Sequence, residues 1–266
     1  MALTPVTTLN ELLDLEELDR NLYRARNEDN VTGRPTLFGG QVLAQALRAA
    51  AFTVDEARLP HSCHGYFLRP GQPERPVILR VDRDRDGRSF SARHVVAIQD
   101  GDEIFTLTAS FHRVEESGAL ETPMPEGVPP PEAPARAIGW HHRTVELKIV
   151  DKAGETEDGP PTRLWVRAMQ PLADDPVVHA CALAYISDIG SGFGASTLLG
   201  LPRGGPSLDH ALWFQHPIRL DDWVLLDMWP VKAGGARGLY MGTVHDHAGV
   251  FGALFTQEML MRPIGT

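Results

Sequence analysis

Two hydrophobic periods alternate along the chain. Gly39 and Gly40 open a run in which Val42, Leu43, Ala46, Leu47 and Ala50 recur at helical spacing, which predicts a buried helix. After it the period drops to two. Residues 61–70, 76–86, 89–100 and 103–113 alternate as strands, parted by Pro70-Gly71, Asp86-Gly87 and Asp100-Gly101, so an antiparallel meander is expected. The plan then recurs: residues 175–190 predict a second helix, with Pro176 near its start and Ala180, Leu183 and Ala184 buried, and strands follow over 207–217 and 235–259. Ahead of the first helix, Leu12, Leu13, Leu15, Leu18 and Leu22 predict a short amphipathic helix starting after Asn10, with residues 22–26 turning into a strand.

The recurrence is an internal repeat. SLDHALWFQHP parallels HSCHGYFLRP, and residues 235–259 parallel 90–113, with Arg237 against Arg93 and Phe251 against Phe105. So aligned, Asp209 faces Ser62 and Gln257 faces Phe111, which leaves one polar pair in the second half and none in the first. Between the halves the sequence turns Pro-rich, with PEGVPPPEAPA reading as a semi-rigid linker. The expected organisation is a first repeat with its lead-in helix over 1–115, a linker over 116–139 and a second repeat over 140–266.

Composition narrows the function. A chain of 266 residues that is 42% hydrophobic can bury a large core, so disorder is excluded. The net charge of -10 and the lack of a dense Lys/Arg run argue against nucleic acid as a partner. Lysine occurs only at 148, 152 and 232, the rest of the 25 basic residues being arginine. Cys63 and Cys181 stand far apart and are expected to be buried free thiols. The acidic amphipathic N-terminus lacks the pattern of a signal peptide and no apolar run reaches the length of a membrane span, so a cytosolic protein is expected.

Candidate chemistry centres on Asp209, a carboxylate just ahead of Leu212, Trp213 and Phe214. Aromatic surroundings can tune such a group as a base, although a turn aspartate has the same sequence appearance. Gly39, Gly40 and Gln41 give the first helix a bare N-terminus whose N–H groups suit a developing negative charge, or simply allow close packing. No nucleophile elbow and no phosphate-binding loop occur, and GSGFG does not follow a strand as a dinucleotide fingerprint would. His245 and His247 flank a turn and His141 and His142 lie by the linker, none at metal-ligand spacing; solvated turn histidines are expected and no metal.

The segments LFGGQVLAQAL, HGYFLRPG, RDGRSFSARHVVAIQDG, IFTLTASF, LDHALWF and TQEMLMR resemble the acyl-CoA thioesterase II (TesB-type) family over nearly the whole chain. The resemblance implies an α+β double hotdog: two helices, each wrapped by an antiparallel sheet, with the strands joined into one continuous sheet. It implies hydrolysis of acyl-CoA to free fatty acid and coenzyme A without a cofactor, in a homo-oligomer. In the family an Asp, a Gln and a Ser or Thr orient the attacking water. Carried onto this sequence, the Asp is Asp209 and the Gln is Gln257, while the place assigned to the hydroxyl, before Ala236-Arg237-Gly238, holds Pro230, Val231 and Lys232. Arg93 and Arg237, with Arg88, are candidates for the coenzyme A phosphates. The unmatched hydroxyl motivates a second reading, an acyl-CoA-binding protein that is weakly active or inactive. A third, acyl-thioester hydration, lacks its histidine pattern.

Overall fold

A computed structural model describes residues 6–28, 36–115, 118, 120–133, 143–150, 162–193 and 205–262. Its elements run α1 (Leu9–Leu13), β1 (Glu16–Asp19), β2 (Leu22–Ala25), α2 (Gly39–Ala51), β3 (Arg58–Phe67), β4 (Val77–Asp86), β5 (Phe90–Gln99) and β6 (Asp102–Arg113). The second half contributes β7 (Val145–Ile149), β8 (Arg163–Ala168), α3 (Pro176–Ser187), β9 (Asp209–Phe214), β10 (Val224–Gly234), β11 (Arg237–Asp246) and β12 (Phe251–Leu260). Among the described residues, the twelve strands form one sheet in the order β1-β2-β4-β5-β6-β3-β9-β12-β11-β10-β8-β7. The order is a palindrome: each half has the same arrangement, and the halves meet where β3 pairs with β9. Every neighbouring pair is antiparallel. The fold is the expected double hotdog.

Turn chemistry fixes the register. Asp100 and Gly101 sit at φ 51° and 86°, the left-handed pair that a tight hairpin between right-twisted strands requires. The seam is symmetric, since Ser62 pairs with Trp213 and Tyr66 pairs with Asp209, so Asp209 does stand at the place of Ser62. Elsewhere the repeat alignment shifts. Arg93 pairs with Ala109, which pairs on its other side with Cys63; in the second half Tyr240 pairs with Gln257, whose other neighbour is His210. Gln257 therefore answers Ala109 rather than Phe111, and Arg93 answers Tyr240 rather than Arg237. Register shifts between Arg83 and Arg85 in β4 and between Pro230 and Lys232 in β10 mark the same bulge in both halves.

The two long helices pack against each other, antiparallel, and are tied at both ends. Arg48 in the last turn of α2 pairs with Asp175, the N-cap of α3, at 3.2 Å. At the other end Gly40 N–H donates to Asp188, the C-cap of α3. α2 buries Val42, Leu43, Ala46, Leu47, Ala49 and Ala50 against α3 and the first half of the sheet. α3 is apolar nearly all round because it is enclosed; its buried residues include Val178, Cys181, Ala182, Leu183, Ala184, Tyr185 and Ile186.

Three local readings change. The first helix is capped by Thr8, whose hydroxyl accepts from Glu11 N at 3.1 Å, and it stops at Leu13, so Leu15 to Leu22 belong to a hairpin instead. Asn10 donates to Pro171 O. The Pro-rich segment is more than a spacer where it is described. Trp165 Nε1 donates to Pro129 O and Lys148 Nζ to Pro131 O, and Met124 and Val128 cover a small cluster of Val150, Trp165, Trp223 and Leu225. His245 is fully buried and meets Thr122 O at 3.0 Å, so it is not a solvated turn residue. His247 is exposed and pairs with Asp222. His141 and His142 lie outside the described residues. Both cysteines are buried, and burial pushes their thiols up to about 12.

Candidate functional site

Strand parity decides which side chains can meet beneath the helices. On β12, Ala253, Phe255, Gln257 and Met259 alternate inward, and on β9, His210 and Leu212 do so. Gln257 is only 2% exposed, and its amide makes four hydrogen bonds. Nε2 donates to Asp188 Oδ1 at 2.8 Å and closely to Ser207 Oγ. Oε1 accepts from Tyr240 OH at 2.5 Å and from the His210 ring at Nδ1, 2.8 Å away. A buried amide with every donor and acceptor engaged holds one orientation.

Asp188 terminates α3. Oδ1 receives the Gln257 amide and Oδ2 the N–H of Gly40 at 2.8 Å, and its side chain is 7% exposed. A carboxylate at a helix C-terminus faces the negative end of that helix's dipole, which is unfavourable; here the positive N-terminus of α2 faces it from the other side. The glycine pair makes this approach possible. A Cβ at Gly39 would lie 2.7 Å from Asp188 Oδ2, and one at Gly40 would lie 2.3 Å from the Tyr185 carbonyl oxygen. The bare helix end predicted from sequence thus has a definite occupant, a carboxylate.

Ser207 precedes β9 and forms an isolated bridge with Met259. A bend at Leu208 lets its hydroxyl turn inward although Asp209, two residues on, faces the other way. Around His210, Nε2 lies 2.9 Å from Ser187 Oγ, and the ring stacks on Phe255. Complete burial lowers its pKa to about 4, against the opposing hydrogen bond with Gln257, so the ring is neutral at ordinary pH. Burial also holds the Tyr240 hydroxyl well above the usual phenol range.

The structure does not bring Asp209 and Gln257 together. Asp209 Oδ1 accepts from Glu258 N at 2.8 Å and Oδ2 meets His64 Nε2 at 2.9 Å, on the outer face beside Tyr66. The Pro230 to Lys232 segment is an exposed bulge at the end of β10. The hydroxyl near Gln257 comes instead from Ser207.

Of the expected binding residues, Gly40 serves Asp188, and Gln41 is a buried brace, donating to Asn27 Oδ1 and accepting from Glu28 N. Arg93 is 1% exposed. Its guanidinium donates to the Thr53 hydroxyl and carbonyl, to the carbonyls of Arg85 and Ala92 and to Asp86, so it has no surface for a phosphate. Arg237 is exposed and pairs with Glu258 at 3.0 Å. Beside the site, Glu28 is buried and accepts from Tyr185 OH at 2.9 Å; burial pushes its pKa up to about 7, against the hydrogen bonds of Tyr185 and Thr144.

Sequence reasoning missed Asp188, Ser207, His210 and Tyr240. The legible signal for Asp188 was an acid closing an apolar helix, where the dipole disfavours one. Among the described residues no group of three His, Cys, Asp or Glu is arranged to hold a metal.

Comparison with known proteins bears on this geometry. A family model described as the acyl-CoA thioesterase N-terminal domain matches residues 27–112, and one described as the C-terminal domain matches residues 123–261. Acyl-coenzyme A thioesterase 8 of Mus musculus is 34% identical, over 96% of this chain and 88% of that protein. Acyl-CoA thioesterase 2 of Haemophilus influenzae is 31% identical, over 97% and 98%. The crystal structure of an acyl-CoA thioesterase II, TesB2, from Mycobacterium marinum superposes with a TM-score of 0.81 at 36% identity, covering 97% of this chain and 98% of that one.

Proposed function

Since the chain belongs to the acyl-CoA thioesterase family and hydrolyses acyl-CoA to free fatty acid and coenzyme A, we propose that Asp188 is the base that activates the water, with Ser207 and Gln257 fixing its place. The observation that carries this is the Gln257 amide, which donates at once to the Asp188 carboxylate and the Ser207 hydroxyl. Three groups drawn from separate parts of the chain converge there beneath the helix pair, and Asp209 is not among them.

The chemistry asks little more. A water deprotonated by Asp188 adds to the thioester carbonyl, the new C–O bond forms, and the C–S bond breaks as the tetrahedral adduct collapses. The departing thiolate takes up the proton from Asp188; as a leaving group of pKa about 8.5 it departs without strong acid assistance. The N-terminal turn of α2 is the positive pole nearest Asp188; its Gly40 N–H is given to that carboxylate, so it would favour the developing oxyanion through its dipole and not through that N–H. The N-terminus of α3 is capped by Asp175 at the far end of the helix pair, so it is not the donor.

With Ser207 beside Gln257, the motive for an inactive acyl-CoA binder disappears. Arg237, exposed at the start of β11, stays in the proposal as a coenzyme A phosphate contact. A cytosolic homo-oligomer is also part of it; exposed Tyr66 and Trp213 beside the outer seam support self-association, which sedimentation would test. Among the described residues no helix is long and apolar enough to cross a membrane.

The test of the base is thiol release from a medium-chain and a long-chain acyl-CoA. Asp188→Asn keeps the shape but cannot accept the proton, and should lose about 10²–10⁴ in kcat. Asp209→Asn should stay within about twofold of the parent. The reverse pattern would return the base to Asp209.

A further inference from the structure

The Gln257 amide has two ends, and the hydrolytic reading uses one. Nε2 serves Asp188 and Ser207; Oε1 is held by Tyr240 and His210, both buried behind it. Resting on that reading, we propose that Tyr240 and His210 are positioning residues that lock the Gln257 amide, so that its two N–H bonds stay aimed at Asp188 and Ser207.

A glutamine amide is nearly symmetric in shape and can flip, exchanging donor for acceptor. Flipped here, Oε1 would face a carboxylate oxygen of Asp188 and the water would lose its alignment. Two donors on Oε1 oppose that flip. Tyr240 supplies an O–H at 2.5 Å. His210 faces Oε1 with Nδ1, and because that oxygen only accepts, Nδ1 carries the proton of the neutral ring. Nε2 is then the acceptor turned to Ser187 Oγ at 2.9 Å, and the single hydroxyl proton of Ser187 is shared between that nitrogen and the Ala184 carbonyl, also at 2.9 Å. Both rings are fixed by packing: His210 stacks on Phe255 at 5.7 Å, and Tyr240 meets Phe193 and Phe255 edge-on. Donors on Oε1 also polarise the amide and strengthen its N–H bonds to Asp188 and Ser207.

The arrangement belongs to the second repeat alone. The same row in the first repeat reads Cys63, Ala109 and Arg93, which holds no amide to orient. Tyr240 and His210 therefore accompany Gln257 and are not a requirement of the fold.

The test measures kcat and KM for thiol release in the parent, Tyr240→Phe, His210→Leu, His210→Asn and Gln257→Ala. Loss of the tyrosine hydroxyl should lower kcat about three- to tenfold, with KM within about twofold, because the ring and its packing remain. His210→Leu should lose at least as much, and His210→Asn, whose Nδ2 can stand where Nδ1 did, should recover most of it. In a Gln257→Ala background Tyr240→Phe should change nothing further, whereas a purely structural effect would persist. Parental kcat in Tyr240→Phe, or an undiminished effect in the Gln257→Ala background, overturns the proposal. Should the His210 variants fail to fold by circular dichroism, the Tyr240 cycle decides alone. A parent that releases no thiol from either substrate overturns the hydrolytic reading itself, and this role with it.

Discussion

The two halves of the sheet hold the same three positions beneath their helices and fill them with different chemistry. In the first half the row is Cys63, Ala109 and Arg93; in the second it is His210, Gln257 and Tyr240. Arg93 spends every contact on its own surroundings, tying β5 to Thr53 beyond the end of α2 and to Asp86. Gln257 instead turns two donors toward a carboxylate and a hydroxyl that come from elsewhere in the chain. A duplicated scaffold can thus keep one copy of a position for holding itself together and release the other for chemistry.

Arg93 is where that division breaks with the largest expected effect. Arg93→Leu leaves the buried Thr53 hydroxyl and carbonyl, and the part-buried carbonyls of Arg85 and Ala92, without this donor, so it should cost about 2–4 kcal/mol of stability. That is a large part of the 5–15 kcal/mol typical of a folded domain. Its kcat, measured well below its melting temperature, should equal the parent's. Tyr240→Phe, at the answering position, should do the reverse, losing rate and little stability. Denaturant melts and thiol-release kinetics on the two variants check the pair, and an equal loss of kcat in both would erase the distinction.

The rows also differ in how they titrate. His210 has a folded pKa of about 4, below its ordinary value near 6.5, so its contribution is complete above pH 6.5 and fades as pH falls toward 4. Between those values it should amount to no more than about 3 kcal/mol. Cys63 in the answering position does not titrate in that range. Glu28, which joins the segment before α2 to Tyr185 of α3, has the opposite sign. Its folded pKa of about 7 lies above the ordinary 4.5, so stability is complete below pH 4.5 and is lost as pH rises through 7. Melts from pH 4 to 8 should show His210→Asn flattening the acid side and Glu28→Gln flattening the neutral side. If Glu28→Gln leaves the change between pH 5 and 7 intact, another group owns it.

Much of the fold was legible because it is periodic and punctuated. Helix α2, its glycine start, the strands β3 to β6 and the Asp100-Gly101 turn follow from spacing and turn chemistry, but the order does not: β3 crosses over to lie between β6 and β9, so only β4 to β6 form a meander. The edge strands β1 and β7, and β8 inside β7, are not legible in the sequence, being four to six residues long and carrying little alternation to count. The site was half legible for a different reason. Asp188, Ser207 and Gln257 lie 50 and 69 residues apart along the chain at the two amide contacts, so no local spacing ties them. Parity held information that spacing did not. Asp209 shares its strand face with exposed Trp213, whereas Arg93 shares its face with buried Val95 and Ala97, and counting by two puts the first outside and the second within. Ser207 escapes even that rule, since the bend at Leu208 reverses its side.

The smallest expected effect lies at the rims. Strands β5 and β11 begin at answering positions, Phe90 paired with His112 and Arg237 paired with Leu260. Phe90 stacks on His112 at 4.3 Å, and a phenyl ring stands where Arg237 has its guanidinium. Arg237 is exposed, and its ion pair with Glu258 is of the surface kind, whose contribution to stability is at most about 1 kcal/mol. Arg237→Ala should therefore hardly move the melting temperature. If the guanidinium meets the coenzyme A phosphates, the substitution should raise KM about two- to fivefold with kcat unchanged, as expected of a contact made equally in ground and transition states. The increase should shrink with added salt, because an exposed charge pair is screened over a Debye length of about 8 Å at physiological ionic strength. Arg237→Lys should fall between, keeping the charge but losing the fork that matches a phosphate. A KM that is unchanged at low salt would place the phosphate contacts elsewhere and leave Arg237 as the plain partner of Glu258.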